Sequence, residues 1–352
     1  MTKKFNVALT YNVKPDPLQK VSNDSSQSYL QSESLPDKYA EWDTFETIAA
    51  IRDALATSHN VTLLEANEDA FEKFRELKPD IVFNVAEGAY GISREAQIPA
   101  ILDMLQIPYT GSDPLTLSIC LDKARTKEIL TYHGIKNSKF VVYNGKNGVN
   151  GESLQFPVMV KPIGEGSSKG IFNSSFVEDN SALQKELAEK FSEYNQAFIV
   201  EEYLPGREFT VAVLGNGEEA RTLPIVEMNF SELPSEMAPI YSYEAKWILD
   251  TREKPLDIFS CPAKLEPELE KKIKDVVLQT YSVLNCKDWS RIDVRLDSMG
   301  EPNIIEVNPL PGVLPNPQDN SCYPKAARTA GMDYVKMINE VLMVAAKRYG
   351  LV

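Results

Sequence analysis

RIDVRLDSMGEPNIIEVNPLPG, residues 291–312, has the pattern of a short β-hairpin. Apolar and polar residues alternate on both sides of a turn at residues 298–300, as expected for two half-buried strands. If the strands pair symmetrically about that turn, Asp293 lies opposite Glu306. Asn308 then follows two residues after Glu306 and shares its face of the hairpin.

Two carboxylates that oppose each other across a hairpin repel, and a cation between them would explain the pair. Carboxylate and amide oxygens suit Mg²⁺, which usually keeps water ligands and shares its coordination shell with nucleotide phosphates. We therefore predict Asp293, Glu306 and Asn308 as metal ligands. The alternative is a hairpin with one solvated acidic face, and the hairpin alone does not separate the two interpretations.

The composition is that of an ordinary globular protein, and the length of 352 residues allows two or three domains. The formal net charge of −14 argues against a protein that binds nucleic acid or a membrane surface, because either partner requires a basic face. The beginning of the chain does not resemble a signal peptide, and no apolar run is long enough to span a membrane.

The cysteine and histidine content narrows the chemistry. Four scattered cysteines, none in a CxxC pair, fit a reducing cytoplasm and no zinc site. With only two histidines, His59 and His133, the chain offers few residues for a histidine-based catalytic mechanism.

Strand and helix patterns alternate from residue 5 to residue 121, which predicts a parallel sheet with helices on both faces. Residues 14–38 are rich in Ser, Gln, Asp and Pro and are predicted to form a mobile loop insertion. The remaining predicted elements are helices at 123–132, 181–191, 267–284 and 334–346, strands at 139–143, 156–161, 197–201, 208–214 and 221–226, and a surface turn at 144–151.

A glycine- and serine-rich loop, KPIGEGSSKG at residues 161–170, follows one of these strands. Glycine allows the backbone N–H groups to approach phosphate oxygens, and Lys161 supplies a positive charge. The loop matches neither GxxxxGK[ST] nor GxGxxG. A simple hairpin turn is the alternative.

A second stretch, IVEEYLPGREFTV at residues 199–211, could line a purine cleft. The backbone of an extended strand can bind the adenine edge, and carboxylates such as Glu201, Glu202 and Glu208 can bind ribose hydroxyls. Surface acids without a ligand are the alternative interpretation.

These pieces together resemble the D-alanine:D-alanine ligase family of the ATP-grasp superfamily, from about residue 83 to the end of the chain. The resemblance is carried by six ordered motifs: IPYTGSDPLTLSICLDKARTK, VMVKPIGEGSSKG, VEEYLPGREFTV, YSYEAKW, the hairpin and YPKAARTAGMDY. It implies an α/β fold of ATP-grasp type, with an N-terminal parallel-sheet (preATP-grasp) domain at 1–122. Two α+β subdomains, central at 123–205 and catalytic at 206–352, would then enclose the ATP site.

The resemblance also implies roles for individual residues. Lys123 and Lys161 would bind the ATP phosphates and frame the adenine, while Lys246 would approach the γ-phosphate. The remaining ATP-side roles are Glu201 and Leu204 at the base, Glu208 at the ribose, and Asp293, Glu306 and Asn308 around two magnesium ions, with Mn²⁺ as a substitute.

The implied reaction joins two small amino acids. The γ-phosphoryl group of ATP passes to a carboxylate, and an amine attacks the resulting acylphosphate. Arg291 and the backbone N–H of Gly312 would stabilise the tetrahedral oxyanion, although a structural ion pair is the alternative for Arg291. Ser167 would orient the donor, and Ser321 would hold the acceptor carboxylate.

The chain departs from the family pattern on the amino-acid side only. Glu41 is the nearest candidate to bind the donor's ammonium group, and Glu87 stands where the family carries a histidine. Trp247 replaces a loop tyrosine, and residues 313–323 include about four extra positions. Glu87 favours a donor that carries an extra ammonium or hydroxyl group.

D-Alanine at both positions is the leading candidate pair of substrates. The alternatives are a dipeptide or amide ligase of another pathway and, in another class, a nucleotide-binding regulatory protein without turnover. The expected partners are small-molecule amino acids, and a homodimer is also compatible with the resemblance.

Overall fold

The computed structural model describes residues 3–15, 37–145, 149 and 153–352. Most of the predicted loop at 14–38 and part of the predicted turn at 144–151 lie outside these described residues. Within the described ranges, no helix is long and apolar enough to cross a membrane.

The first sheet is parallel, as the alternating pattern predicts. Its strands are β1 (Asn6–Tyr11), β2 (Asn60–Glu65) and β3 (Ile81–Asn84), in the order β2-β1-β3, and its helices are α1 (Phe45–Ala56), α2 (Ala70–Leu77) and α3 (Gln97–Leu105). Val7 and Leu9 pack on the α1 side, while Ala8 packs with Phe74 of α2 on the other side. The sheet is therefore buried on both faces, as is usual for parallel strands.

The second sheet is antiparallel, and it follows two consecutive helices. These helices are α4 (Pro114–Leu121) and α5 (Lys123–Tyr132). The strands are β4 (Phe140–Tyr143), β5 (Val158–Pro162), β6 (Phe176–Val177) and β7 (Phe198–Glu202), in the order β4-β7-β5-β6, with α6 (Asn180–Tyr194) packed on one face.

The third sheet contains the predicted hairpin. Its strands are β8 (Glu208–Leu214), β9 (Arg221–Thr222), β10 (Val226–Met228), β11 (Phe259–Ser260), β12 (Trp289–Leu296) and β13 (Pro302–Asn308). One face packs on α7 (Pro267–Val283), and the other on α8 (Cys322–Thr329) and α9 (Tyr334–Arg348).

The register of the hairpin is confirmed. β12 and β13 pair antiparallel with Asp293 opposite Glu306, but a bulge follows, and Val294 pairs with Ile304. The bulge leaves Ile305 without a partner of its own and adds local twist to the sheet next to the two carboxylates.

The prediction of one continuous strand at 221–226 is wrong. The structure has two short strands there, β9 and β10, which pair with different parts of the same edge of β8. Pro224 lies between them, and proline has no N–H to donate to a β-ladder, which explains the interruption.

Candidate active site

A cleft of about 440 Å³ lies between the second and third sheets and the loops around them. A smaller cavity of about 80 Å³ adjoins it. The sequence-predicted residues that line the large cleft are Glu41, Lys161, Ser167, Glu201, Leu204, Glu208, Lys246, Trp247, Arg291, Asp293, Glu306, Gly312 and Ser321. The other three, Lys123, Glu87 and Asn308, line the smaller cavity, which shares Glu41, Ser167, Arg291, Glu306 and Gly312 with the cleft.

Glu201 is the anion at the centre of the predicted nucleotide side. Its carboxylate pairs with Lys161 of the neighbouring strand β5 and, at 2.9 Å, with Lys127 of α5. Burial alone would raise the pKa of Glu201, but the two ammonium groups outweigh it and lower the pKa to about 2. The wall of the cleft therefore holds a carboxylate that is ionised at neutral pH and two lysines fixed by it.

Lys123 connects α5 to the hairpin. Its Nζ lies 2.8 Å from Glu306 Oε1 and also donates to the backbone carbonyl of Glu165 in the glycine-serine loop. Burial opposes the ionisation of Glu306, yet Lys123 and then Arg291 lower its pKa to about 2. The lysine and the carboxylate predicted from separate motifs thus form one ion pair.

Asp293 has an arginine partner on its own strand. Arg291 donates to both carboxylate oxygens, at 3.1 and 3.0 Å, and Thr210 Oγ1 lies 2.5 Å from Oδ1. The ion pair considered as the alternative for Arg291 is therefore present, and it leaves the guanidinium at the junction of the two cavities.

The hairpin carries oxygen atoms that could bind a metal ion, but they do not form a complete coordination site. Among the described residues, no group of three His, Cys, Asp or Glu side chains is arranged to hold a metal ion. The Nδ2 atom of Asn308 is buried and has no hydrogen-bond partner in the part of the chain that the structure describes. Two carboxylates and one amide would thus have to be completed by ligands from outside the protein.

Glu208 lines the same cleft as Glu201. Arg295, two residues after Asp293, pairs with it at 2.7 Å and also packs over the ring of Tyr203 at 4.3 Å. Burial raises the pKa of Glu208 although Arg295 opposes the shift. This aromatic and charged wall is compatible with a base and a sugar.

The glycine-serine loop packs directly against Glu41. The backbone N–H of Gly166 donates to Glu41 Oε1 at 2.6 Å, and Arg94 donates to the same atom at 2.5 Å. A Cβ at Gly166 would lie 2.9 Å from that oxygen, so a side chain at this position would displace the Glu41 carboxylate. Ser167 and Ser168 both have left-handed backbone conformations, with φ of 51° and 60°.

Trp247 contacts the same loop. Its indole Nε1 donates to the backbone oxygen of Ser167 at 3.1 Å. Lys14 lies over the indole ring at 4.4 Å, and Lys246 lies 5.2 Å from its centre. Burial, followed by the charge of Arg291, lowers the pKa of Lys246 to about 8, and within the described part of the chain its ammonium group forms no ion pair with a carboxylate.

Ser321 and Gly312 form another part of the cleft wall. Ser321 Oγ donates to the carbonyl of Gly312 at 3.2 Å and accepts from the N–H of Leu314 at 3.2 Å. The serine hydroxyl thereby fixes the segment that carries Gly312 next to Arg291.

Similarity to known proteins covers most of the chain. The family model described as "D-ala D-ala ligase C-terminus" matches residues 129–343. The D-alanine–D-alanine ligase of Pelotomaculum thermopropionicum is 30% identical over 322 residues, which cover 88% of this chain and 93% of the relative. The chain belongs to the D-alanine–D-alanine ligase family.

The chain is also similar to an uncharacterised protein and to solved structures. An uncharacterised protein, y4sG of Sinorhizobium fredii, is 37% identical over 269 residues, covering 76% of this chain and 75% of the relative. Among solved structures, the D-alanine–D-alanine ligase of Bacillus anthracis complexed with ATP has a TM-score of 0.69 at 23% identity over 99% of both chains. The VanG D-Ala:D-Ser ligase of Enterococcus faecalis has a TM-score of 0.69 at 21% identity, covering 97% of this chain and all of that one. These structures support the ATP-grasp fold.

Sequence analysis did not identify several residues of the site. Lys127 lies one helical turn after Lys123, so the helical spacing could have predicted that both lysines lie on the same face of α5. Arg295 lies two residues after Asp293 on the same strand face, which was also available. Arg94 could not be identified from local spacing, because its partner Glu41 is 53 positions away in the sequence.

Proposed function

We propose that this chain is an ATP-dependent carboxylate–amine ligase of the D-alanine–D-alanine type, which joins two small amino acids and releases ADP and phosphate. The observation that carries the proposal is the junction of the two cavities, where Arg291, Glu306, Gly312 and Ser167 line both spaces. A nucleotide in the large cleft and a small carboxylate in the adjoining cavity would meet there.

On the nucleotide side, we assign Lys123 and Lys161 to the phosphates. Both ammonium groups are held by carboxylates, Glu306 and Glu201 respectively, and point into the two adjoining cavities. The base would contact the segment of Glu201 and Leu204, and the ribose would contact Glu208. Lys246, whose ammonium group lacks a carboxylate partner among the described residues, would bind the γ-phosphate.

The donor set of the hairpin fits magnesium. Asp293, Glu306 and Asn308 offer hard oxygen ligands, and Glu306 stays ionised because of its low pKa. When bound, magnesium would neutralise the charge on the phosphoryl oxygens, and Mn²⁺ would serve in the same way.

The amino-acid side supplies the chemistry of bond formation. A donor carboxylate oxygen attacks the γ-phosphorus and ADP leaves; the acceptor amine then attacks the acyl carbon, loses a proton, and phosphate leaves. Arg291 and the N–H of Gly312 would stabilise the oxyanion of that second step. Glu41, with Ser167 beside it, would bind the donor's ammonium group.

The acceptor would occupy the end of the cleft near Ser321 and Trp247. Ser321 already fixes the Gly312 segment, and its N-cap position on α8 places backbone N–H groups where a carboxylate could bind. Peptidoglycan biosynthesis is the role that follows from the family. A cytoplasmic location is proposed on the same basis, together with the four free cysteines.

A ligase with a different donor or acceptor is the second candidate. It is favoured by Glu87 in the wall of the smaller cavity and by the bond from Trp247 to the Ser167 backbone. A non-catalytic nucleotide-binding protein is disfavoured because Arg291, Asp293, Glu306 and Asn308 are all retained together on one hairpin.

The proposal is tested by measuring ADP release with Mg-ATP across pairs of D- and L-amino acids, with mass spectrometry of the products. We expect ADP and a dipeptide or amide in equal amounts for at least one pair, with D-alanine as the first pair to test. Nucleotide binding without ADP release from any pair would support the regulatory alternative instead.

A further inference from the structure

The smaller cavity is lined by Glu87 and Glu95, whose carboxyl groups have no hydrogen-bond or ion-pair partner among the described residues. Glu87 and Glu95 both line it, and Glu95 is only 9% exposed. Within the described residues, neither carboxyl group accepts a hydrogen bond or lies in an ion pair. Buried carboxylates are ordinarily paired, because an unpaired buried charge is costly.

The local fold brings these two side chains together. The chain leaves Glu87 through Gly88, whose φ is +73°, and returns so closely that a Cβ at Gly88 would lie 2.5 Å from the carbonyl oxygen of Arg94. Asn12 fixes the start of this loop by accepting from the N–H of Gly88 at 2.9 Å. This close approach of the chain places Glu95 next to the end of the segment that carries Glu87, so the fold itself holds the two carboxyl groups near each other.

The cations around the cavity are already bound to other acids. Arg94 pairs with Glu41 at 2.5 Å and donates to the carbonyl of Gly164 at 2.6 Å. Lys123 pairs with Glu306, and Arg291 pairs with Asp293. The charge of Glu87 and Glu95 is therefore not neutralised by direct contact with a cation of the described chain.

The remaining wall of the cavity holds the groups assigned to the donor amino acid. Glu41, Arg291 and Gly312 line the same space of about 80 Å³ as Glu87 and Glu95. A donor whose α-ammonium group faces Glu41 and whose carboxylate faces Arg291 would direct its side chain toward the two unpartnered acids. The volume admits only a short side chain.

We propose that the donor is a small amino acid with a second ammonium group on a short side chain, such as a 2,3-diaminopropionate or 2,4-diaminobutyrate. This proposal rests on the proposed ligase function and names its donor class. A hydroxyl side chain could donate one hydrogen bond but would neutralise neither carboxylate, whereas an ammonium group donates three and supplies the missing charge.

The electrostatics of the cavity agree with this assignment. Burial, followed by the charges of Glu95 and Glu41, raises the pKa of Glu87 well above its usual value. Burial raises the pKa of Glu95 to about 7, although Arg94 and Lys123 oppose the shift. A cation between the two carboxyl groups would favour their ionised forms.

The test compares kcat/KM for ADP release among donors of matched size, in both enantiomeric series, with D-alanine and then the wider amino-acid panel as acceptor. The donors are 2,3-diaminopropionate, serine, alanine and 2-aminobutyrate. We expect the diamino acid to exceed the neutral donors by about tenfold or more, the factor that one charge-assisted hydrogen bond supplies.

Two variants test whether Glu87 and Glu95 cause the preference for a diamino donor. In Glu87→Gln and in Glu95→Gln, the ratio of the diamino acid to 2-aminobutyrate should fall by about tenfold. The control is Glu76→Gln, an exposed glutamate on α2 that lines neither cavity, which should keep the wild-type ratio. The wild-type donor ratios decide the question even if a variant fails to fold.

Two results would overturn the proposal, and they differ in meaning. Equal or better use of alanine, serine or 2-aminobutyrate, with vigorous ADP release, would reject the diamino donor and leave the ligase function intact. No ADP release with any donor and acceptor would reject the ligase function itself, and the donor assignment with it.

Discussion

The acids of the site differ in how their charge is neutralised. Glu201 and Glu306 each have lysine partners and pKa values near 2, against an ordinary value of 4.5. Glu87 and Glu95 have no such partners among the described residues, and their pKa values are raised. The first pair is suited to hold fixed cations on the nucleotide side, and the second pair to receive a cationic group from a ligand.

Replacing Glu306 with glutamine tests the metal assignment at the hairpin. Removing one ligand that stabilises charge in the transition state should lower kcat for ADP release by roughly 10²–10³-fold while the fold is retained. Steady-state kinetics at saturating magnesium and ATP, with circular dichroism as a fold check, measure this. Glu301→Gln, on the same hairpin but bound to exposed Lys272, is the control; a kcat for Glu306→Gln close to wild type would refute the assignment.

Lys161→Ala tests the glycine-serine loop. Loss of a charge-assisted contact to phosphate should weaken binding of a non-hydrolysable ATP analogue by about tenfold or more. Calorimetric titration gives the dissociation constant, and exposed Lys185 provides the control variant. An unchanged constant in Lys161→Ala would mean that KPIGEGSSKG is only a turn.

Sequence patterns located the acids better than their partners. The alternation in residues 291–312 was sufficient to place Asp293 opposite Glu306, because a strand has a fixed period of two. The contact between Arg94 and Glu41 depends on how a loop folds across another unit of the molecule, and no local periodicity reports that. The functional roles assigned to these residues stay predictions.

At the level of elements, α5 joins the two walls of the cleft. Lys123 reaches the hairpin, and Lys127, one turn later, reaches β7. Lys127 is 2% exposed and is also 2.9 Å from Ser138 Oγ. The helix therefore contacts both the second and the third sheet through ion pairs.

Lys127→Met should destabilise the protein by about 3 kcal/mol, because it leaves the buried carboxylate of Glu201 with one cation instead of two. Chemical denaturation yields the free energy of unfolding for comparison with wild type. Lys136→Met serves as the control, since Lys136 is exposed and its ammonium group lies as far as 3.8 Å from Asp297. Loss of this pair should cost less than about 1 kcal/mol. Equal effects of the two substitutions would contradict the role of α5.

The order of helices and strands followed from the sequence more reliably than their interruptions. Helix α5 runs over Lys123–Tyr132 as predicted, and α7 ends within one residue of the prediction. The break between β9 and β10 was missed, although Pro224 gave a usable signal. The predicted loop at 14–38 lies mostly outside the described residues.

Over the whole molecule, the N-terminal sheet and the C-terminal helices share one core. Residues of β1 and α1 pack with α8, α9 and one face of the third sheet. Arg348 of α9 extends this connection, since it pairs with Asp288 at 2.8 Å and donates to the carbonyls of Tyr109 and Gly111. The domain boundaries at residues 122 and 205 stay a prediction, because this core draws on both ends of the chain.

Arg348→Ala should lower the free energy of unfolding by about 3 kcal/mol, because Asp288 is fully buried and would lose its cation. The same denaturation experiment measures it. Arg125→Ala, which removes an exposed pair with Glu128 on one helix, should cost less than about 1 kcal/mol. A negligible effect of Arg348→Ala would mean that the apolar core alone holds the two ends together.

In the proposed reaction, a donor carboxylate is phosphorylated and then captured by an amine. The most direct measurement supplies a donor amino acid labelled with ¹⁸O in both carboxylate oxygens, together with ATP, magnesium and an acceptor, and determines the isotope content of the released phosphate. The account predicts one ¹⁸O atom in the phosphate for each peptide bond formed, because a carboxylate oxygen leaves with the phosphoryl group. Phosphate without ¹⁸O, released with or without peptide, would contradict it.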